Sequence, residues 1–152
     1  MDESILTSIK AMLGPDEDYD AFDTEIMIHI NSALNILTQL GIGPDKGFRV
    51  RNANDTWDEF IPSDRDDFEM VKDYVYMKVK LIFDPPQSSA AIESLKELIR
   101  EFEWRIRETA ESYLVAMTKA SEDVTLVDRT TNEVYELYAD NGELFMGEKE
   151  AT

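Results

Sequence analysis

The stretch YVYMKVKLIFDPPQSSAAIESLKELIREFEWRI, from Tyr74 to Ile106, decides how this chain is read. Its first third is ambiguous. Val75, Met77, Val79 and Leu81 alternate with Tyr76, Lys78 and Lys80, a pattern that a half-buried strand would show. Upstream, however, Asp66 to Lys72 is helical in tone, and Phe68, Val71, Val75 and Ile82 keep helical spacing. We read one helix from about Asp64 to Phe83, nearly surrounded by neighbours, with Ser63-Asp64 as its N-cap. Asp84-Pro85-Pro86 stops it, because proline clashes with the preceding turn and restricts the residue before it.

Ser88 or Ser89 then caps a long amphipathic helix. Its stripe is Ile92, Leu95, Ile99, Phe102, Ile106, Thr109, Tyr113 and Met117, close to a heptad register. Glu97 and Glu101 with Arg100 and Arg105, and Glu103 with Arg107, supply flanking charge pairs worth a few tenths of a kcal/mol each. Trp104 lies off the stripe. It reads either as a surface residue half-covered by a loop or as an anchor in a subunit interface, where Trp and Arg are over-represented.

Upstream, Ser4 to Leu13 forms a short helix, capped by Asp2 or Ser4 and ended by Gly14-Pro15. Asp16, Asp18 and Asp20 alternate as in a calcium loop. The sixth and twelfth positions that such a loop fills with Gly and Glu are Ala21 and Met27 here, so the segment reads as an acidic turn. Asp23 caps a second helix, Thr24 to Leu40, with Ile26, Ile30, Ala33, Leu37 and Leu40 as its stripe. Ile28 stands alone on the polar face and is a candidate subunit contact, whereas His29 flanks the stripe as a packed histidine. Gly41-Ile42-Gly43-Pro44 stops that helix and is no phosphate loop, since no Lys-Ser/Thr follows. Phe48 and Val50 make a short extended piece, and Thr56 to Phe60 a single helical turn capped from Asn54 or Asp55. Trp57, Phe60 and Ile61 plug the side of the helical core, and Trp57 joins Ile28, Trp104, Arg100 and Arg105 as a candidate oligomer contact.

After Ser121 the period switches from helical to two. VTLVD, EVYELYA and ELFMG follow one another as short strands, with a loose turn at Arg129–Asn132 and a hairpin signal at Asp140-Asn141-Gly142. So small a β-meander cannot bury enough apolar area to stand alone. Tyr135, Leu137, Tyr138, Leu144, Phe145 and Met146 are therefore candidate docking residues, onto the chain's own helices or another chain. The tail carries nine acidic against two basic residues, which suits a partly basic partner surface. The expected architecture is mainly α: a four-helix bundle over residues 1–118, followed by a small β-rich extension over 119–152.

Composition bounds what such a chain does. It has 152 residues, 43% of them hydrophobic, enough for a real core. No run reaches the ~20 apolar residues of a membrane span, and the acidic N-terminus has no signal-peptide pattern, so a soluble protein without a membrane partner is expected. Cysteine is absent, which excludes disulfides, Cys zinc sites and Cys nucleophiles. No residues form a recognisable acid–base, metal, nucleophile or cofactor arrangement, so the expectation is a structural protein without cofactors rather than an enzyme. The net charge of −18 argues against ordinary nucleic-acid binding. It fits a solubilising surface, a basic partner, mimicry of nucleic acid that inhibits a basic host protein, or a passage through which DNA slides. Composition does not separate these.

SILTSIKAMLG, EIMIHINSALNILTQLGIGP, the WDEF turn and the Tyr74–Ile106 stretch together resemble the head–tail connector (adaptor) proteins of tailed bacteriophages. The nearest group is the small helical adaptors of siphophages infecting Gram-positive bacteria. QLGIGP and LIFDPP, followed by a long helix containing EWR, are specific as a set, and the resemblance covers Met1 to about Ala110. Beyond Tyr113 the chain departs from the short form of that family. The resemblance implies a four-helix fold in a homo-oligomeric ring, usually dodecameric, set in the virion between portal and the next connector, stopper or tail protein. Such a ring assembles in the host cytoplasm, and DNA passes its lumen without specific binding. It implies no catalytic residue, and the β-rich tail would clamp the portal.

Overall fold

The computed structural model describes the backbone of residues 3–15, 19–120, 124–127, 134–140 and 143–148, and the side chains of 3–15 and 19–116. The chain divides into two compact units, Met1–Ala110 and Glu111–Thr152. Five helices follow in order: α1 (Ile5–Leu13), α2 (Asp23–Gln39), α3 (Trp57–Phe60), α4 (Phe68–Phe83) and α5 (Ser89–Ala120). The protein is mainly helical.

The ambiguous segment is helix throughout. In α4, Val71, Tyr74, Val75, Met77 and Val79 are all buried, and before the exposed Ile82 only Glu69 and Asp73 are exposed. A helix covered on nearly every side loses the polar–apolar contrast that would reveal its 3.6-residue period. Helix α2 lies against α4, and α1 against both, around a core that includes Ile9, Ile26, Ile30, Leu34, Leu37 and Trp57.

The helix boundaries follow from local chemistry. The Ser4 hydroxyl accepts from the Thr7 N–H and caps α1, and Ser88 caps α5 by accepting from the Ala91 N–H. Helix α2 ends in a Schellman motif. Gly41 (φ +89°) donates its N–H to Thr38 O, and Ile42 donates to Leu37 O, with Ile42 fully buried behind the turn.

Three expected caps are corrected. The α3 turn is capped by Thr56 and not by Asn54 or Asp55, with the Glu59 carboxylate accepting from the Thr56 N–H at 2.8 Å. Asp23 is the first residue of α2 and not its cap, because its carboxylate pairs with the buried Lys10 ammonium at 2.7 Å. Ser63-Asp64 does not open the helix before the prolines, which begins instead at Phe68. Asp58 on α3 takes both the Ser63 N–H (2.8 Å) and its hydroxyl, and these bonds hold the Asp58 carboxyl below its ordinary range. Residues 62–67 turn through Arg65 N–H to Pro62 O and Phe68 N–H to Arg65 O. There Arg65 grips the buried Asp67 carboxylate through two bonds of 2.9 and 2.8 Å.

Tyr74 ties α4 to α5. It is fully buried, and its hydroxyl donates to Glu103 Oε1 at 2.6 Å. Burial, and then the neighbouring carboxylate, push its ionisation well above the ordinary value near 10. A phenol held neutral in the fold contributes stability that is complete below about pH 10 and falls as pH rises beyond it, where the unfolded chain ionises more readily. Tyr74→Phe should lower stability near neutral pH by about 1.5–3 kcal/mol, the range for a hydrogen bond to a charged group. Its urea midpoint should also fall less steeply than the wild type's between about pH 10 and pH 12. Parallel slopes would show that Tyr74 is not the group concerned.

In the second unit, β1 (Val124–Val127), β2 (Val134–Asp140) and β3 (Glu143–Glu148) form an antiparallel sheet in the order β1-β2-β3. Both turns expected there fall on positions outside the described residues, namely 129–132 and 141–142. So does most of the acidic turn at 16–18.

Candidate interaction surface

The described residues form no group of three or more metal-binding side chains, and no helix among them is long and apolar enough to cross a membrane. A cleft of about 400 Å³ lies between α2 and the extended segment 49–51. Its construction rests on one side chain. Asn31 donates from Nδ2 to Val50 O (2.9 Å) and accepts from the Val50 N–H at Oδ1 (2.8 Å), as a neighbouring strand would. Val50 is thereby drawn into the core, and Arg49 and Arg51 on either side of it are left exposed. The Asp55 carboxylate fixes the end of the segment by accepting from the N–H groups of Arg51 and Asn52.

Ile28 lines this cleft with Met27 and is 57% exposed. Its neighbours two residues away, Ile26 and Ile30, are fully buried, so Ile28 sits on the opposite side of α2. Trp104 is 59% exposed, and Ile106 two residues on is fully buried, so the indole lies on the outer face of α5. Arg100 and Arg105 lie on the same helix, each closed onto its own neighbour: Arg100 pairs with Glu97 and Arg105 with Glu101. Trp57 is 1% exposed. Its indole N–H donates to Ser8 Oγ at 2.8 Å inside the core, so it is a core residue and is not presented as an oligomer contact.

What the sequence reading missed is the arginine pair. Among the described side chains, every lysine and arginine is ion-paired except Lys46, Arg49, Arg51 and Arg107. Three of those four fall within 46–51. The signal available was the alternation Arg-Val-Arg in a chain of net charge −18, where an unneutralised cation is uncommon.

Residues 5–113 match the family of phage connector proteins. The chain belongs to that family. No curated protein and no solved structure matches it. The match takes in the α2 cleft and the outer face of α5 around Trp104, and stops before β1. It also takes in the features that shape the fold: the Gly41–Gly43 turn, the α3 turn with Trp57, and the Pro85-Pro86 break.

The residues singled out in the tail can be placed by register. Leu137 pairs with Met146, Tyr138 with Phe145, Ala139 with Leu144, and Tyr135 with Glu148. Directly opposed residues share a face and neighbours along a strand alternate. Tyr135, Leu137, Leu144 and Met146 therefore lie on one face with Val124 and Leu126 of β1, and Tyr138 and Phe145 lie on the other.

Proposed function

We propose that this connector is a non-catalytic structural adaptor of a siphophage virion. It forms a ring, dodecameric as is usual for such adaptors, beneath the portal protein and links capsid to tail around the DNA channel. The observation that carries the reading is family membership across residues 5–113. A net charge of −18 supports it, because an acidic lumen repels phosphate and lets DNA pass without sticking. The portal on one side and the next connector, stopper or tail protein on the other are its partners. Assembly takes place in the host cytoplasm.

The C-terminal extension is the portal clamp in this reading, with the Tyr135, Leu137, Leu144 and Met146 face covering an apolar surface on the partner. Purified protein mixed with its phage's portal and imaged by negative stain should give rings stacked on portal. Removal of residues 119–152 should abolish the stacking. A protein that remains monomeric and ignores portal would overturn the proposal.

A further inference from the structure

The three strands of the second unit leave two edges. β2 is central in the order β1-β2-β3, so the outer sides of β1 and β3 have no strand against them among the described residues. Backbone N–H and C=O groups along such an edge bond either water or another strand, and natural sheets discourage the second with charge, proline or a bulge. Neither edge carries these devices along its middle. β1 is Val-Thr-Leu-Val, without a charge, and β3 is Glu-Leu-Phe-Met-Gly-Glu, with its charges only at the two ends. Both ladders run residue by residue, from Val124↔Leu137 to Val127↔Val134 and from Tyr135↔Glu148 to Asp140↔Glu143, with no bulge.

We infer that β3 of one copy pairs edge to edge with β1 of the next, joining the C-terminal sheets of a ring into one continuous belt. The inference rests on the proposed ring reading and names a contact that holds neighbouring copies together.

Topology and charge select a second copy as the occupant. β1 and β3 are both antiparallel to β2, so they run in the same direction. Neighbouring copies of a many-membered ring differ by a modest rotation. β1 of the next copy therefore runs nearly along β3, and the new ladder is parallel. Contact between unlike edges of identical subunits is heterologous, the type that closes into a ring. Once the ring closes no copy retains an open edge, as in a barrel, whereas a strand from a different protein would cover one edge and leave the other. Copies of net charge −18 repel one another, and β1 and residues 144–147 of β3 bring no charge to the new ladder. The pairing uses the edges alone, so the face that holds Tyr135, Leu137, Leu144 and Met146 stays available to the portal.

Cross-linking in the full-length protein tests the contact, because the natural chain has no cysteine. By register Thr125 and Phe145 lie on the same face of the sheet, the one opposite Leu137 and Met146. Thr125→Cys mixed with Phe145→Cys, assembled and treated with a short bismaleimide, should give heterodimers that neither variant gives alone. Adjacent prolines give a second measure. Successive residues of an edge strand turn their N–H groups alternately toward and away from the sheet, so of Thr125→Pro and Leu126→Pro one removes a bond to β2 and the other only an outward donor. The variant that keeps wild-type hydrogen-exchange protection along β2 should need a roughly tenfold higher concentration for ring assembly, the equivalent of one or two lost backbone bonds.

Assembled rings that give no heterodimer between positions 125 and 145 would overturn the edge contact, whatever the proline variants do, and leave the connector reading standing. Homodimers from either cysteine variant alone would also overturn it, since like edges would then be paired. Rings that form normally in the protected proline variant while portal binding is lost would make a portal strand the occupant and overturn it too. A wild-type protein that never associates, alone or on portal, would overturn both readings.

Discussion

Gly43→Ala should destabilise the protein by about 3–5 kcal/mol, far more than alanine at Gly47, where about 1–2 kcal/mol is expected. Both glycines hold positive φ, +91° at Gly43 and +75° at Gly47, so both substitutions incur the left-handed backbone strain. They differ in what a Cβ would meet. At Gly47 there is open space within 4 Å, whereas at Gly43 a Cβ would stand 2.4 Å from Phe60 Cε2 and 2.9 Å from Cδ2.

The Phe60 ring has nowhere to go. It is 2% exposed, and the Phe48 ring packs against it with 5.8 Å between centroids. The loop after α2 and the α3 turn must therefore separate, and overpacking of this kind adds to the strain. Urea denaturation of the two variants against wild type would measure the difference. Equal losses would mean that the Phe60 contact contributes nothing.

Trp57→Ala should cost about 3–5 kcal/mol, the range for removing a buried large aromatic. The loss should also be localised. Trp57 fills the space between α1 and α4, its ring meets Phe68 edge-on at 6.2 Å, and its indole bonds to Ser8 on α1. Two backbone bonds run beside it, Trp57 N–H to Glu3 O and Ile5 N–H to Asp55 O, both 3.0 Å. Together they pin α1 to the α3 turn, so hydrogen exchange in Trp57→Ala should accelerate first at the α1 amides. Trp57→Phe retains most of the packing and should lose about 1 kcal/mol with the indole bond. If α1 exchanged no faster than α4 in the alanine variant, Trp57 would not be the pin.

Most helix ends and stripes were legible because local chemistry dictates them. Gly14-Pro15, Gly41–Pro44 and Asp84–Pro86 break helices by backbone sterics that need no partner. The capping serines Ser4 and Ser88 act within one turn of themselves. Asp23 and Ser63 were misjudged because each had two uses. Asp23 is taken by Lys10, which packing of α1 on α2 brings near, and Ser63 is taken by Asp58 across the α3 turn, a local partner that competes with capping.

The candidate surface divides the same way. Ile28 and Trp104 could be singled out as apolar residues off their helix stripes, since periodicity along one helix suffices to show it. The exposure of Arg49 and Arg51 could not, because it depends on Asn31 gripping Val50 from another element.

The helix breaks, the apolar stripes and the motif set that marks the connector family are written in the residues alone, because sterics and amphipathic spacing act over a few positions. For Tyr74–Phe83 the residues admit helix or strand by pattern; the helix read there is seen in the fold as part of α4. Neighbours cover that segment on nearly every side, and burial all round erases the periodic contrast by which a sequence announces its conformation.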